Sequence, residues 1–154
     1  MSAIAKLAKF RRLSRADRAL VLRALAILPA TALGLRLIGL KRVQAALGLL
    51  SPARPAIDAS DAAAIARRVA RWVAAAARQG PYRAKCLPTA LALQSMLRRH
   101  GIEADLRLGV RRWSGRLEAH AWVEHRGEPL IDAADVAERF PAFAEAIGAA
   151  RGRR

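Results

Sequence analysis

The chain has a single cysteine, Cys86, in 154 residues. One thiol excludes an intramolecular disulfide and a multi-cysteine zinc site, so no oxidising compartment is implied. Histidine is almost as scarce. His100, His120 and His125 have no metal-ligand spacing with Cys86, so neither a metal nor another cofactor is expected. Aromatic residues are few, with one Tyr. There is no Gly-aromatic ribonucleoprotein motif and no GxxG clamp, which argues against an RNA-binding module. Acidic residues are outnumbered, 12 Asp+Glu against 28 Lys+Arg, for a net charge of +16. Much of that excess is Arg beside abundant Ala, a composition that a GC-rich genome also favours. Physically it suits anionic partners.

A clean export signal is also missing. Lys6, Lys9, Arg11 and Arg12 resemble a charged n-region, but the apolar run after them contains Arg23 and Arg36 and has no small-residue cleavage pattern. Ala19 to Leu40 is the most hydrophobic stretch. A central Arg in a spanning helix costs roughly 2.5–3.5 kcal/mol, and Pro29 interrupts the run. The favoured reading is a core or partner-facing helix pair, with membrane contact not favoured and a cytoplasmic location expected.

The length suits one domain with a helical appendage. Ser14 with Asp17 reads as a capping-box variant opening a helix to about Leu28, where Pro29 breaks or kinks it. A second helical piece covers about Ala32 to Leu40, and a third ends near Gly48. The expected division is a helical region over residues 1–50, a linker over 51–59 containing Pro52 and Pro55, and a core over 60–154. Ser60 or Asp61 opens the next helix, with Ile65, Val69, Trp72, Val73 and Ala76 on one face and Trp72 read as core. Gln79-Gly80-Pro81 stops it.

A further helix starts at Cys86, because Pro88 is tolerated only in a first turn. It ends near His100, before Gly101. The period then becomes two. Leu106, Leu108 and Val110 alternate with Asp105, Arg107, Gly109 and Arg111 in one strand. Leu117, Ala119, Ala121 and Val123 alternate with Glu118, His120, Trp122 and Glu124 in a second. Pro129 to Asp132 reads as a third strand, and Ala134 to Ile147 as a last helix.

Cys86 therefore stands at a helix start, beside Lys85. A helix N-terminus and a neighbouring cation both favour thiolate. His100 lies fourteen residues along the same helix, about 20 Å away at ~1.5 Å per residue, and is excluded as its base. His125 is at a turn and is expected to be solvated. His120, mid-strand, is the candidate base, and Asp132 the first choice to orient it, with Asp135 and Asp105 behind it. The backbone amide of Cys86 is the natural oxyanion donor, and Gln79 a candidate side-chain donor. Taken singly, each residue has an ordinary structural reading: an inert core thiol, a structural histidine, an aspartate that caps a helix. Their order and placement raise the catalytic one.

Three segments carry a resemblance: Cys86-Leu87-Pro88-Thr89-Ala90-Leu91-Ala92-Leu93-Gln94, Leu97-Arg98-Arg99-His100-Gly101-Ile102, and Leu108-Gly109-Val110 with Ala119-His120-Ala121-Trp122-Val123-Glu124. Together they resemble the transglutaminase-like leader peptidases of lasso-peptide biosynthesis, over about Ala84 to Ala133. The resemblance implies an α+β, papain/transglutaminase-like fold, with the Cys-bearing helix packed on a short antiparallel sheet. It puts Cys86, His120 and Asp132 in a catalytic triad. It further implies cleavage of a ribosomally made precursor at its leader–core junction, a stand-alone peptidase with a separate leader-recognition protein, and a cyclase acting next. Two other readings compete: acyl transfer to an amine by the same triad, and a non-enzymatic basic protein binding nucleic acid or membrane.

Overall fold

A computed structural model describes residues 10–52, 55 and 57–142. In chain order the elements are α1 (Arg15–Leu37), α2 (Gly39–Leu50), α3 (Ala59–Gln79), α4 (Cys86–Arg98), β1 (Asp105–Trp113), β2 (Arg116–His125), β3 (Glu128–Pro129) and a single turn, α5 (Val136–Arg139). The strands form one antiparallel sheet in the order β1-β2-β3. The architecture is α+β, with helices gathered against one face of a small sheet.

The first helix begins as its sequence predicts. Asp17 N–H donates to Ser14 Oγ at 3.0 Å, satisfying one of the amides a helix start leaves open. It then departs from expectation. Pro29 lies inside α1 and does not end it. Leu20, Ala24, Leu28 and Thr31 are buried at successive turns on both sides of the proline, and Pro29 itself is exposed. The inward face carries the helix through a residue that alone would cost about 3 kcal/mol. By length and composition α1 could cross a membrane, and only 17% of its most apolar window is buried. Leu22, Leu33, Leu37 and Ile38 are exposed along it and at its end.

Asp17 also ties α1 to α3. Its Oδ1 accepts from Arg68 Nε at 2.8 Å and from Trp72 Nε1 at 2.6 Å. The Arg68 contact, with help from the Ser14 hydroxyl and Trp72, holds the Asp17 carboxyl well below the usual carboxylate range, while burial works the other way. Trp72 thus packs on the core and also donates a hydrogen bond. The α3 helix starts at Ala59, a residue or two before Ser60 and Asp61.

The core is continuous from the first helix to the sheet. Leu20, Ala24 and Leu28 share it with Val69 and Val73 of α3, Leu91, Leu93 and Leu97 of α4, and Leu106, Ala121 and Val123 of the strands. The α4 helix is its centre, with Leu91, Leu93, Met96 and Leu97 at most 1% exposed. Burial of each such side chain contributes about 1.5–3 kcal/mol. That is what fixes the start of α4 against the sheet.

The β1–β2 hairpin closes through Ser114 and Gly115, both at positive φ, the geometry whose twist matches the flanking strands. Register is continuous from Asp105 opposite Glu124 to Trp113 opposite Arg116. Leu106, Ala121 and Val123 face α4, whereas Trp122 turns to a separate small cluster with Val136 and Phe140, as the two-residue period requires. The expected apolar face does not extend to the hairpin tip, where Leu117 is 72% exposed. The third strand is shorter than predicted. Pairing ends at Glu128–Pro129 plus a bond from Leu130 N–H to Val123 O.

The last predicted helix is also corrected. Among its described residues only Val136–Arg139 is helical; Pro141 follows, and Ala142 bridges to Gly109 of β1. Residues 143–147 of that expected helix lie outside the described residues.

Candidate functional site

The N-terminal turn of α4 is shaped by three residues. Lys85 is its N-cap and makes no side-chain capping bond. Thr89 returns both its N–H (3.2 Å) and its hydroxyl (2.8 Å) to Lys85 O, and Pro88 has no N–H to offer. As the first two residues of the helix, Cys86 and Leu87 have amides with no intrahelical acceptor. Cys86, the first helical residue, is part-buried with a free thiol. The amides of a positive helix end stand beside that sulfur.

A cleft of about 160 Å³ opens here. Cys86, Thr89, Ala90 and Leu93 line it from α4, His120 to Val123 from β2, and Ile131 and Asp132 from the chain after β3. Ala74, Ala77 and Arg78 of α3 close the remaining side. It lies where β3 stops pairing with β2, so the strand edge beside His120 is open. The volume suits one side chain and the peptide group next to it rather than a large cofactor. Among the described residues, no group of three His, Cys, Asp or Glu is placed to hold a metal ion.

His120 and Asp132 meet directly. Nε2 and Oδ1 are 2.7 Å apart, and each side chain is 25% exposed. A carboxylate only accepts, so Nε2–H is the donor. Nδ1 is then the ring nitrogen left for another partner. The neighbouring candidates are elsewhere: Asp135 is 3.9 Å from Arg139, and Asp105 is 4.0 Å from Arg107.

The imidazole is walled by rings. Trp122 stacks at 6.1 Å between centroids and 13° between planes, and Phe140 lies at 5.0 Å and 34°. Trp122 is 1% exposed. Its Nε1–H donates to Glu124 Oε1 at 2.8 Å, and Glu124 Oε2 accepts from Arg107 Nε at 3.0 Å. This chain of contacts fixes the indole. Sequence alone offered its signal, since Trp122 and Glu124 share a face; Arg107 lies directly opposite Trp122 and diagonal to Glu124. Phe140 had no such signal, because its place depends on a turn after β3.

Three other candidates are not among the residues lining the cleft. Gln79 ends α3, is exposed, and is not among the residues lining the cleft; its neighbour Arg78 is. His125 is not simply solvated, because Nδ1 is 2.8 Å from Glu103 O and Nε2 is buried. His100 lies beyond the far end of α4, away from the cleft.

A family model of the transglutaminase-like superfamily matches residues 26–144, a span that holds the cleft and all three of Cys86, His120 and Asp132. No curated protein and no solved structure gives a match. Members of that superfamily are commonly cysteine-dependent enzymes. With most of its length covered, from within α1 to just beyond the Phe140 segment, the chain belongs to the transglutaminase-like superfamily.

Proposed function

We propose that the chain is a cysteine peptidase that removes the leader from a ribosomally made lasso-peptide precursor, with Cys86 as nucleophile, His120 as acid–base and Asp132 as its orienting carboxylate. The observation that carries the chemistry is the 2.7 Å His120–Asp132 contact in the same cleft as Cys86. The sequence resemblance over Ala84 to Ala133 supplies the substrate class.

In this reading the Cys86 thiolate attacks the scissile carbonyl carbon and a C–S bond forms. Oxyanion charge develops near the open amides of the first α4 turn, with the Cys86 amide as the natural donor. Asp132 holds Nε2–H, so Nδ1 carries the proton that passes to the leaving amine as the C–N bond breaks. The freed amine is the N-terminus of the core peptide. Water then gives a proton to Nδ1 and attacks the thioester, which releases the leader and returns the thiolate. A separate cyclase would use the new amine. The exposed Leu22, Leu33, Leu37 and Ile38, with the Arg residues around them, support docking of a leader-bound recognition protein on α1 and α2.

Acyl transfer to an amine uses the same first step, and the acceptor tells the two apart. The test incubates a lasso precursor and its recognition protein with the chain and follows both products by mass spectrometry, with and without an added primary amine. Leader and core are expected, with water as acceptor, and Cys86→Ala should yield neither while keeping its circular dichroism. Normal cleavage by Cys86→Ala sinks the reading. An amine-capped leader as the main product favours the transferase.

A further inference from the structure

We propose that Phe140 is a positioning residue for His120, brought onto the imidazole by the segment after β3 and admitted there by Gly109. The inference rests on the Cys86–His120–Asp132 reading and extends it to a residue outside the triad.

The argument begins with what His120 lacks. A histidine χ2 is a broad, two-fold torsion with little preference of its own. A half-turn of the ring would take Nε2 off Asp132. One hydrogen bond to a side chain that is itself 25% exposed is a weak restraint. Flat walls on the ring supply what the torsion does not, and Trp122 is only one of them.

The other wall is available because of the residue opposite. Gly109 is the direct cross-strand partner of His120. Directly opposed residues have Cβ atoms about 4.5–5.5 Å apart, so any side chain at 109 would itself lie against the imidazole. Instead, the backbone of the C-terminal segment fills that place. A Cβ at 109 would come within 2.5 Å of Phe140 O and 3.0 Å of Phe140 Cβ. The segment is pinned at this close approach. Val110 N–H donates to Pro141 O at 3.4 Å, and Ala142 forms a bridge with Gly109. Phe140 is left 8% exposed, with its ring 5.0 Å from the imidazole. The Arg111 guanidinium lies 4.5 Å over the same ring and is itself held by Glu118 at 2.7 Å. A glycine, a strap and a braced ring converge on one side chain of the triad.

General packing is the competing explanation, and Val136 separates the two. It belongs to the same small cluster, is 3% exposed, and has no ring to set against the imidazole. The experiment measures iodoacetamide labelling of Cys86 at pH 6.5 and the ¹⁵N signals of the His120 ring, on the full chain and on His120→Ala, Phe140→Leu, Gly109→Ala and Val136→Ala. Leucine keeps an apolar side chain at 140, so this variant is the one most able to fold. Phe140→Leu is expected to label about tenfold more slowly, since misplacement of a reacting group by ~1 Å costs up to 10²-fold. Its His120 signals, taken in alkaline buffer where the ring is neutral, should change from one tautomer, protonated at Nε2, to a mixture. Gly109→Ala should do the same with Phe140 unchanged, and Val136→Ala should lower the melting temperature yet label at the wild-type rate. Wild-type labelling and a single tautomer in Phe140→Leu overturn the proposal, as does an equal loss in Val136→Ala. If wild-type labelling does not depend on His120, the triad reading fails first and this proposal falls with it.

Discussion

On the side of the β1–β2 hairpin that faces α4, the strands present Leu106, Leu108, Ala121 and Val123, which are hydrocarbon throughout. On the other side they present Arg107, Arg111, His120, Trp122 and Glu124, joined by hydrogen bonds, an ion pair and stacked rings, with Gly109 as the gap among them. The first face is held by a non-directional force that depends on area. The second is held by contacts that depend on direction and distance. Stability and orientation are therefore separable in this hairpin, one face to each, although they share every second residue of the same strands.

The largest effects should come from the directional face. Asp132→Asn keeps the shape at Nε2 but removes the charge and favours the wrong tautomer. It is expected to slow cleavage on the order of 10³-fold with little change in melting temperature. A variant as active as wild type would end the division of labour. The opposite signature belongs to Leu106→Ala. Leu106 is 0% exposed, so this change should cost about 2–5 kcal/mol in urea denaturation. Labelling of Cys86 per folded molecule should hold, and a matching loss of reactivity would show that the faces are coupled.

How much of this could be read beforehand follows the same division. Period-two alternation and Pro88 located the strands and the start of α4, because local rules govern both. The carboxylate expected beside His120 was Asp132, and the two are 2.7 Å apart, since a hairpin register carries that information. Pro29 misled, because the local rule was outweighed by apolar burial on either side of it. Phe140 was read as part of a long helix, when Pro141 and the space over Gly109 turn the chain back onto the sheet. The Asp17–Arg68–Trp72 cluster was legible only in its Ser14 half, since the other half joins two helices far apart in sequence.

Two smaller effects sharpen the comparison. Trp122→Phe keeps a ring beside His120 but removes the Nε1–H donor to Glu124. The buried carboxylate then keeps Arg107 and loses one bond, a cost of about 1–3 kcal/mol, with labelling reduced less than in Phe140→Leu. Asp17 tests a polar cluster remote from both faces. A carboxyl held below its unfolded value contributes stability that is complete above about pH 4 and lost as pH falls toward the folded value. Urea midpoints of wild type and Asp17→Asn should therefore differ at pH 7, with wild type higher, and converge in acid. A gap that stays constant with pH would mean that the carboxylate charge is not what matters.

The residues that meet at Nε2 are twelve apart in the chain, with the two antiparallel β2–β3 pairings between them. The sulfur arrives from another element, held to the sheet only by the docking of α4. Contacts close in sequence need little loop closure to form, whereas docking α4 on the sheet brings together residues further apart. A chain still folding can thus bring its imidazole and carboxylate together with no thiol beside them. In the proposed peptidase, reactivity at Cys86 would then arise only once α4 has docked, and an immature copy would spare the peptides around it.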